Sequence, residues 1–499
     1  MTLHSIGMNE IQDVLPARRL GGPAIVGAVF VFIAACLGWL FWARSRAMDR
    51  PVPAVVILPF INGSGKFNDQ YYSDGLTMEL IDSLSKVEKL RVVSWNSAKQ
   101  FRQKADSSNV DLKDLREKLQ AGAVLNGVVQ KKGDRLHITA KLVDTNGGET
   151  IWSDSYDRPE KDVFYVEEQI AKSIVYSLKV QLRVDPQRIL VPPRTESMAA
   201  FDSYLKARSN NMFPSDVWTE QAIREDSKYP PPYALRAMNR ALSGFYRQVP
   251  FSAAAPEVME NARKAIALDS SSGQAHAALG IALGLGDWDW KAAHVELDRA
   301  VQWSPGSAEA HIAYVIGYLS PMGQLDAAEY EARKAVEIDP LSFLANYVAG
   351  DVLLARGKPQ EAVDRFRAAA SIFDRLPQML EGYAIALNAV GRRDEARQQF
   401  TKSCEVTGAT GCDPGPFGYA VLGFVQSRAM LKKEPKVLPI QEAAVYATLG
   451  DVDLAFGALN KAVDQRDPQV VFLQADARFN SLRNDPRYDA ILKRLRLRE

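Results

Sequence analysis

The loop Asn62-Gly63-Ser64-Gly65-Lys66 follows an apolar run of strand length and precedes an amphipathic stretch, the setting in which a glycine-rich turn wraps a phosphate. That chemistry needs a glycine five residues before the glycine of the Gly-Lys pair, and a hydroxyl after the lysine for Mg²⁺. Those positions are Phe60 and Phe67, so the loop reads as a flexible strand–helix connection. His276 and His311 stand 35 residues apart at comparable places in successive helices, which fits a repeat better than a metal pair. Cys404 and Cys412, near a Gly/Pro-rich loop, can form a disulfide if the region is exported or remain two thiols; Cys36 lies inside an apolar run. HExxH, GxSxG, CxxC and Cys/His ligand spacings are all missing, and no nucleophile–base pair stands out among 60 carboxylates. These residues predict a binding protein, not an enzyme: no catalytic residue, no metal, no cofactor.

At 499 residues the chain must divide into two to four domains. With 47% hydrophobic and 24% charged residues it is globular in composition, and 61 basic against 60 acidic residues lack the basic excess of a nucleic-acid binder. The terminal LKRLRLRE is the solvated face of a last helix.

Residues 23–42, PAIVGAVFVFIAACLGWLFW, carry no charge and end in Trp39 and Trp42. About twenty apolar residues rising ~1.5 Å each span a hydrocarbon core of ~30 Å, so an uncleaved transmembrane helix is expected behind a short cytoplasmic tail at 1–22. Arg18 and Arg19 before it, against Arg44, Arg46 and Arg50 after it, weakly favour the following domains inside.

From 51 to 183 the pattern changes to short strands and helices. PVPAVVILPF and LRVVSW read as strands; Leu76, Leu80, Ile81, Leu84 and Val87 mark a helix between them, and Leu112, Leu115 and Leu119 a second. AVLNGVVQ, a turn at Lys132-Gly133-Asp134, alternating Leu136/Ile138/Ala140/Leu142 and ETIWSDSY give three more strands before a helix bearing Val163, Val166, Ile170, Ile174 and Leu178. The order βαβαβββα predicts a mixed sheet covered by helices. Beyond a linker at 184–196, residues 197–499 repeat. Gly323, Gly357 and Gly391 are 34 apart; Ala293, Ala328, Ala362 and Ala396 are spaced by 35, 34 and 34; Phe366 and Phe400 follow their alanines by four. This is the tetratricopeptide spacing of paired antiparallel helices: glycine turns the chain, alanines admit close approach, a larger residue fills the gap. Four units over about 274–407 are expected, with degenerate units on either side and a terminal helix capping the array. The aromatic–acidic stretch Gly286 to Trp290 packs on a neighbouring hairpin or meets a partner.

The segments AVVILPFINGSG, YYSDGLTMELIDSLSKVEKLRVVSW, AVLNGVVQKKGDRLHITAKLVDTNGGETIWSDSYDR and VFYVEEQIAKSIVYSL closely resemble the TolB amino-terminal-like domain, which in bacteria is often joined to tetratricopeptide repeats in membrane signalling proteins, some cyclase-like and some CadC-like with a winged-helix DNA-binding domain. About 22 residues before the apolar run leave no room for such an output domain, so neither cyclisation nor DNA binding carries over. The resemblance implies a single-pass inner-membrane protein with its bulk in the periplasm, against the weak charge signal. The whole is then α+β: a membrane helix, a mixed-sheet α/β domain and an all-α solenoid. The usual inner-face positions of such repeats fall on Gln274, Ile281, Tyr347, Asp351, Gln378, Glu381, Ile385 and Asn388. The expected function is a membrane-anchored scaffold or sensor holding a protein or peptide partner in this groove. The alternative is a signalling remnant that meets a separate cyclase or regulator through its membrane helix, where Ala24/Ala28 and Ala34/Gly38 offer small-xxx-small spacing. Self-association stays open.

Overall fold

Val55, Val56, Ile57 and Leu58 are all buried, and this short β-branched run is why β1 (Ala54–Ile57) sits inside a sheet. The structure, a computed structural model, describes residues 54–66, 69–102, 111–178, 195–209, 216–246, 249–370, 375–406, 418, 421 and 438–498, all within one unit that begins at Pro53. The expected membrane helix at 23–42, the tail before it and most of the linker lie outside the described residues. Among the described residues no helix is long and apolar enough to cross a membrane.

The sheet also holds β2 (Ile61–Asn62), β3 (Arg91–Val93), β4 (Ala123–Lys132), β5 (Arg135–Asp144) and β6 (Thr150–Pro159), in the order β3-β1-β4-β5-β6 with β2 beside β4. β1 runs parallel to β3 and β4; β4, β5 and β6 are antiparallel, and Lys132 pairs with Arg135 across the Gly133-Asp134 turn. The mixed sheet and the strand and helix order match the sequence pattern. One face of the sheet packs on α1 (Gln70–Ser85) and the closing helix Val163–Ser177; the other packs on α2 (Leu112–Leu119) through Val56, Val93, Val124, Leu115 and Leu119. With the chain-order labels continuing, Val163–Ser177 is α3. Two further helices, α4 (Met198–Ser209) and α5 (Asp216–Glu225), follow the expected linker. α4 joins the sheet's core, where Phe201, Tyr204 and Leu205 pack beside Tyr72, Leu76 and Leu80; α5 adds Ala222 to it and pairs Glu220 with Arg236 at 3.3 Å. Leu205 approaches so closely that a Cβ on Gly75 of α1 would stand 2.7 Å from it.

The rest is helical hairpins. α6 (Pro230–Phe245) and α7 (Phe251–Leu268) form a degenerate first pair. Four regular pairs follow: α8 (Gly273–Ile281, continued by a π-helical turn to Asp287) with α9 (Trp290–Trp303), α10 (Ala308–Tyr314, continued likewise to Leu319) with α11 (Leu325–Ile338), α12 (Phe343–Ala355) with α13 (Pro359–Ala370), and α14 (Pro377–Ala389) with α15 (Arg393–Val406). Gly323, Gly357 and Gly391 turn these pairs with φ of +69°, +70° and +82°, a left-handed conformation that costs other residues about 1–2 kcal/mol. In the first regular pair that place belongs to Trp288, at φ +57°. The larger residue of each second helix fills the space that small residues leave. Leu297 lies against Gly280 and Gly317, and the Phe366 ring lies between Gly350 and Gly382, where added Cβ atoms would stand 2.3 and 2.8 Å from it.

Two features tie these parts together. The turns between hairpins dock on the α/β domain: Gly306 N donates to Ser85 O (2.7 Å), Ser97 Oγ to Asp339 (2.5 Å), Leu341 N to Ser97 Oγ (2.9 Å) and Arg91 to Glu337 O (2.7 Å). The last unit, α16 (Pro439–Thr448), α17 (Val452–Asp464), two 3₁₀ turns and α18 (Pro486–Arg494), shares its apolar core with α8 to α12. Trp290 Nε1 donates to Leu495 O (2.9 Å), Arg466 to Gly286 O (2.7 Å) and Gln474 to Pro321 O (2.9 Å). The terminal unit therefore folds back over the middle of the array instead of only extending its end.

Candidate interaction face of the helical array

Each regular hairpin begins with a serine or proline that stops the preceding chain and starts a helix: Ser272, Ser307 and Ser342 cap α8, α10 and α12 by accepting from Ala275, Ala310 and Ala345, and Pro377 opens α14. These first helices position the eight residues singled out from the sequence. Those residues do not form one continuous strip. Gln274 is exposed and lines a cavity of about 170 Å³ between the array and the α/β domain, with Asp82 and Arg208 on the opposite wall. Ile281 is 2% exposed, in the core. α8 is buried nearly all round, because neighbouring hairpins and the folded-back terminal unit enclose it, so Ile281 presents no surface to a partner.

The other six lie on α12 and α14. Tyr347 is half-buried, stacked on Phe343 at 5.7 Å and edge-on to Phe366 at 6.4 Å. Asp351 lies one turn further on and is exposed, Glu381 is half-buried and accepts from Ser403 Oγ at 3.3 Å, and Gln378 is exposed. Ile385 is half-buried against the core of α13 to α15, and Asn388 donates to Val421 O at 2.8 Å. Two residues that the repeat pattern does not reveal complete the group: Asp476 and Arg478, which grip each other through two oxygens at the start of a 3₁₀ turn in the terminal unit. Their only sequence signal is the Asp-x-Arg spacing, repeated at Asp485/Arg487, where the aspartate caps the turn and holds the arginine two residues on.

The electrostatics show that these groups feel one another. Burial and the Asp476 carboxylate push the Asp351 carboxyl up, to about 7, while Tyr347 and Arg478 oppose the rise. Because the side chain remains open to water, screening trims that rise. The Asp351 carboxylate, then burial, drives the Tyr347 phenol well above its ordinary value. Burial raises Glu381 against the opposing pull of Ser403 and Arg478. Burial works against the charge on Arg478, but Asp476, Tyr347 and Asp351 more than offset it and its pKa is raised. The arrangement is an aromatic and acidic surface with one guanidinium delivered from the terminal unit. It can hold polar and cationic groups against an aromatic wall; it places no nucleophile beside a base.

The other sequence candidates resolve into structure. Asn62 Oδ1 accepts from Ser64 N (2.9 Å) and Ser64 Oγ (2.6 Å), and its amide donates to Lys66 O (2.6 Å), so the glycine-rich loop binds itself where a phosphate would need its donors. His276 bridges Glu296 (2.6 Å) and Ser270 O (3.1 Å), and His311 bridges Glu331 (2.5 Å) and Pro305 O (3.0 Å). Asn346 takes the same place in the next repeat and donates to Pro340 O at 2.9 Å, so the periodic histidines are staples holding each inter-hairpin turn. Among the described residues no group of three or more His, Cys, Asp or Glu could hold a metal ion. The aromatic loop packs within the chain: Arg466 covers Trp288 at 4.4 Å and Trp290 is bound to Leu495. Cys404 is disulfide-bonded, its partner lying outside the described residues.

The array has the tetratricopeptide architecture. No family model matches the chain. It is 31% identical over 156 residues to a Rhizobium meliloti (strain 1021) protein named "Putative adenylate cyclase 3", covering 29% of this chain and 26% of that one. The chain thus spans about a quarter of the length of this curated relative. Among solved structures it is similar to YrrB, "a TPR protein with an unusual peptide-binding site" (18% identity, TM-score 0.28, 38% of this chain and 93% of that one), and to Pseudomonas aeruginosa pilF (18% identity, TM-score 0.31, 46% and 91%).

Proposed function

We propose that this chain is a membrane-anchored scaffold or sensor of the bacterial cell envelope that engages a protein or peptide partner through the first-helix face of α12 and α14. The observation that carries this reading is the convergence of Tyr347, Asp351, Glu381 and Arg478 on one partly exposed surface built from stacked hairpins and the terminal unit, with Gln378 exposed beside it. Stacked hairpins present extended surfaces that suit a peptide rather than a small reacting molecule. The uncharged run at 23–42 supports an anchor, and the resemblance of 51–183 to the TolB amino-terminal-like domain supports a periplasmic bulk. The bonded state of Cys404 fits an oxidising compartment. An alkaline phosphatase fused after Arg50 should be active if that topology holds.

The partner reading is tested by placing a photo-crosslinking residue at Gln378 in cells. A discrete crosslinked protein should appear, and Glu381→Lys should abolish it. A crosslink of undiminished yield in the Glu381→Lys chain would remove this face from the function. The stretch similar to the "Putative adenylate cyclase 3" protein supports a second reading, a signalling module acting with a separate cyclase or regulator through the membrane segment. Co-purification of a cytoplasmic output protein that survives replacement of residues 23–42 by an unrelated apolar helix would exclude it.

A further inference from the structure

The two edges of the sheet are finished differently. β3 is three residues long, and the array covers it: Arg91 donates to Glu337 O at 2.7 Å and Ser94 N to Ile338 O at 3.4 Å. β6 is ten residues long, mostly exposed, and among the described residues pairs only with β5. An open edge of that length is a template for another strand. Beside it, exposed apolar surface continues on α3, where Tyr165 lies under the Arg158 guanidinium at 5.8 Å and Tyr176 is 86% exposed. Open edges are usually blunted by charge, and β6 carries Asp154, Asp157 and Arg158. Their order decides what the edge accepts. Asp154 and Arg158 point to the same face as Trp152 and Tyr156, opposite Ala140 and Leu136 of β5, and neither has an ion-pair partner among the described residues.

A second copy can add its own β6 antiparallel, across a two-fold axis perpendicular to the sheet, and opposed residues then share a face. Centring that axis on Asp154 or Asp157 sets a carboxylate against itself. Centring it on Ser155 opposes no charges. Centring it on Tyr156 opposes Asp154 with Arg158 twice and Ser155 with Asp157 twice, over residues 153–159 of each strand. Directly opposed side chains have Cβ atoms about 5 Å apart, within reach of an aspartate–arginine pair. We propose that two copies of this chain associate by antiparallel pairing of β6 with β6 about Tyr156, giving one continuous sheet across both protomers, locked by two Asp154–Arg158 pairs. This goes beyond the scaffold reading and does not rest on it.

The test uses the full chain in detergent, with sedimentation equilibrium as the readout and circular dichroism to confirm folding. The wild type should dimerise. Asp154→Arg sets two arginine pairs face to face, and Arg158→Asp two aspartate pairs. Two lost pairs and two new repulsions should each time raise the dimer dissociation constant about tenfold or more. The Asp154→Arg/Arg158→Asp double variant swaps each pair and should return the constant to near the wild-type value. A monomeric wild type, a dimer indifferent to the single reversals (as one held by residues 23–42 would be), or a double variant no better than the singles each overturns the proposal.

Discussion

Gly350 of α12 should not tolerate alanine, although alanine is the better helix former. In an open helix the exchange gains about 1 kcal/mol. Here the added methyl carbon would stand 2.3, 2.6 and 2.7 Å from three atoms of the Phe366 ring, where ordinary contact begins near 3.4 Å. The ring cannot retreat, because it is fully buried and Gly382 of α14 holds its other side at a would-be Cβ distance of 2.8 Å. Overpacking of this kind costs about 1–3 kcal/mol, and a rigid ring boxed on both sides belongs at the upper end. The net for Gly350→Ala is then a loss of about 1–2 kcal/mol once the propensity gain is set against it. Leu297 occupies the equivalent place two repeats earlier, between Gly280 and Gly317, so leucine fits this geometry. Gly350→Ala/Phe366→Leu should recover much of the loss, whereas Phe366→Leu alone should destabilise. Urea unfolding of the four proteins, followed by far-ultraviolet circular dichroism, closes the cycle. A Gly350→Ala protein as stable as wild type, or a double variant equal to the sum of the singles, would show that the ring moves aside freely and that the glycine–phenylalanine packing does not organise the repeat.

Three other substitutions have defined outcomes. Ser97→Ala removes the donor to Asp339 and the acceptor of Leu341 N, leaving a buried carboxyl short of a partner; it should cost about 1–3 kcal/mol and raise protease sensitivity at the junction of sheet and array. Trp290→Phe keeps the ring but strands the Leu495 carbonyl, and should lower stability by about 1–3 kcal/mol while speeding hydrogen exchange in α18. Asp351 ionises less readily in the native state than unfolded. Its effect is therefore absent at pH below the ordinary carboxylate range and appears as lost stability while pH rises towards about 7. Asp351→Asn should match wild type in melting temperature at pH 4 and exceed it at pH 8; a wild type that gains on the variant as pH rises would reverse the assigned sign.

Much of the architecture was legible because it is periodic. Val55–Leu58 and the alternation of Leu136, Ile138, Ala140 and Leu142 declare strands, and Gly323, Gly357 and Gly391 declare hairpins, since each answers to a local rule of burial or turning. The non-periodic contacts were hidden. α4 and α5 lie among repeats in sequence, yet Leu205 finds Gly75, some 130 residues away, and nothing in either segment announces the match. The fold-back of the terminal unit depends on Arg466 meeting Trp288 and on Trp290 meeting Leu495, contacts specific to this chain. That is why Ile281, chosen by repeat position, is buried, and why Asp476 and Arg478, at no repeat position, complete the surface around Tyr347 and Asp351.

The docking of the α/β domain on the inter-hairpin turns also has a mechanical side. A solenoid behaves as a spring because each hairpin can rotate slightly on the next, and each connecting turn is a pivot. Two successive pivots, at Gly306 and at Asp339, are bolted to Ser85 and Ser97 of the same sheet domain. Twisting the coil there drags the sheet along, so its compliance is displaced to the hairpins past Ser342. A pull applied to α14 or α15 would be taken up first in those free hairpins, and only what remains would reach β3 through the bolted turns.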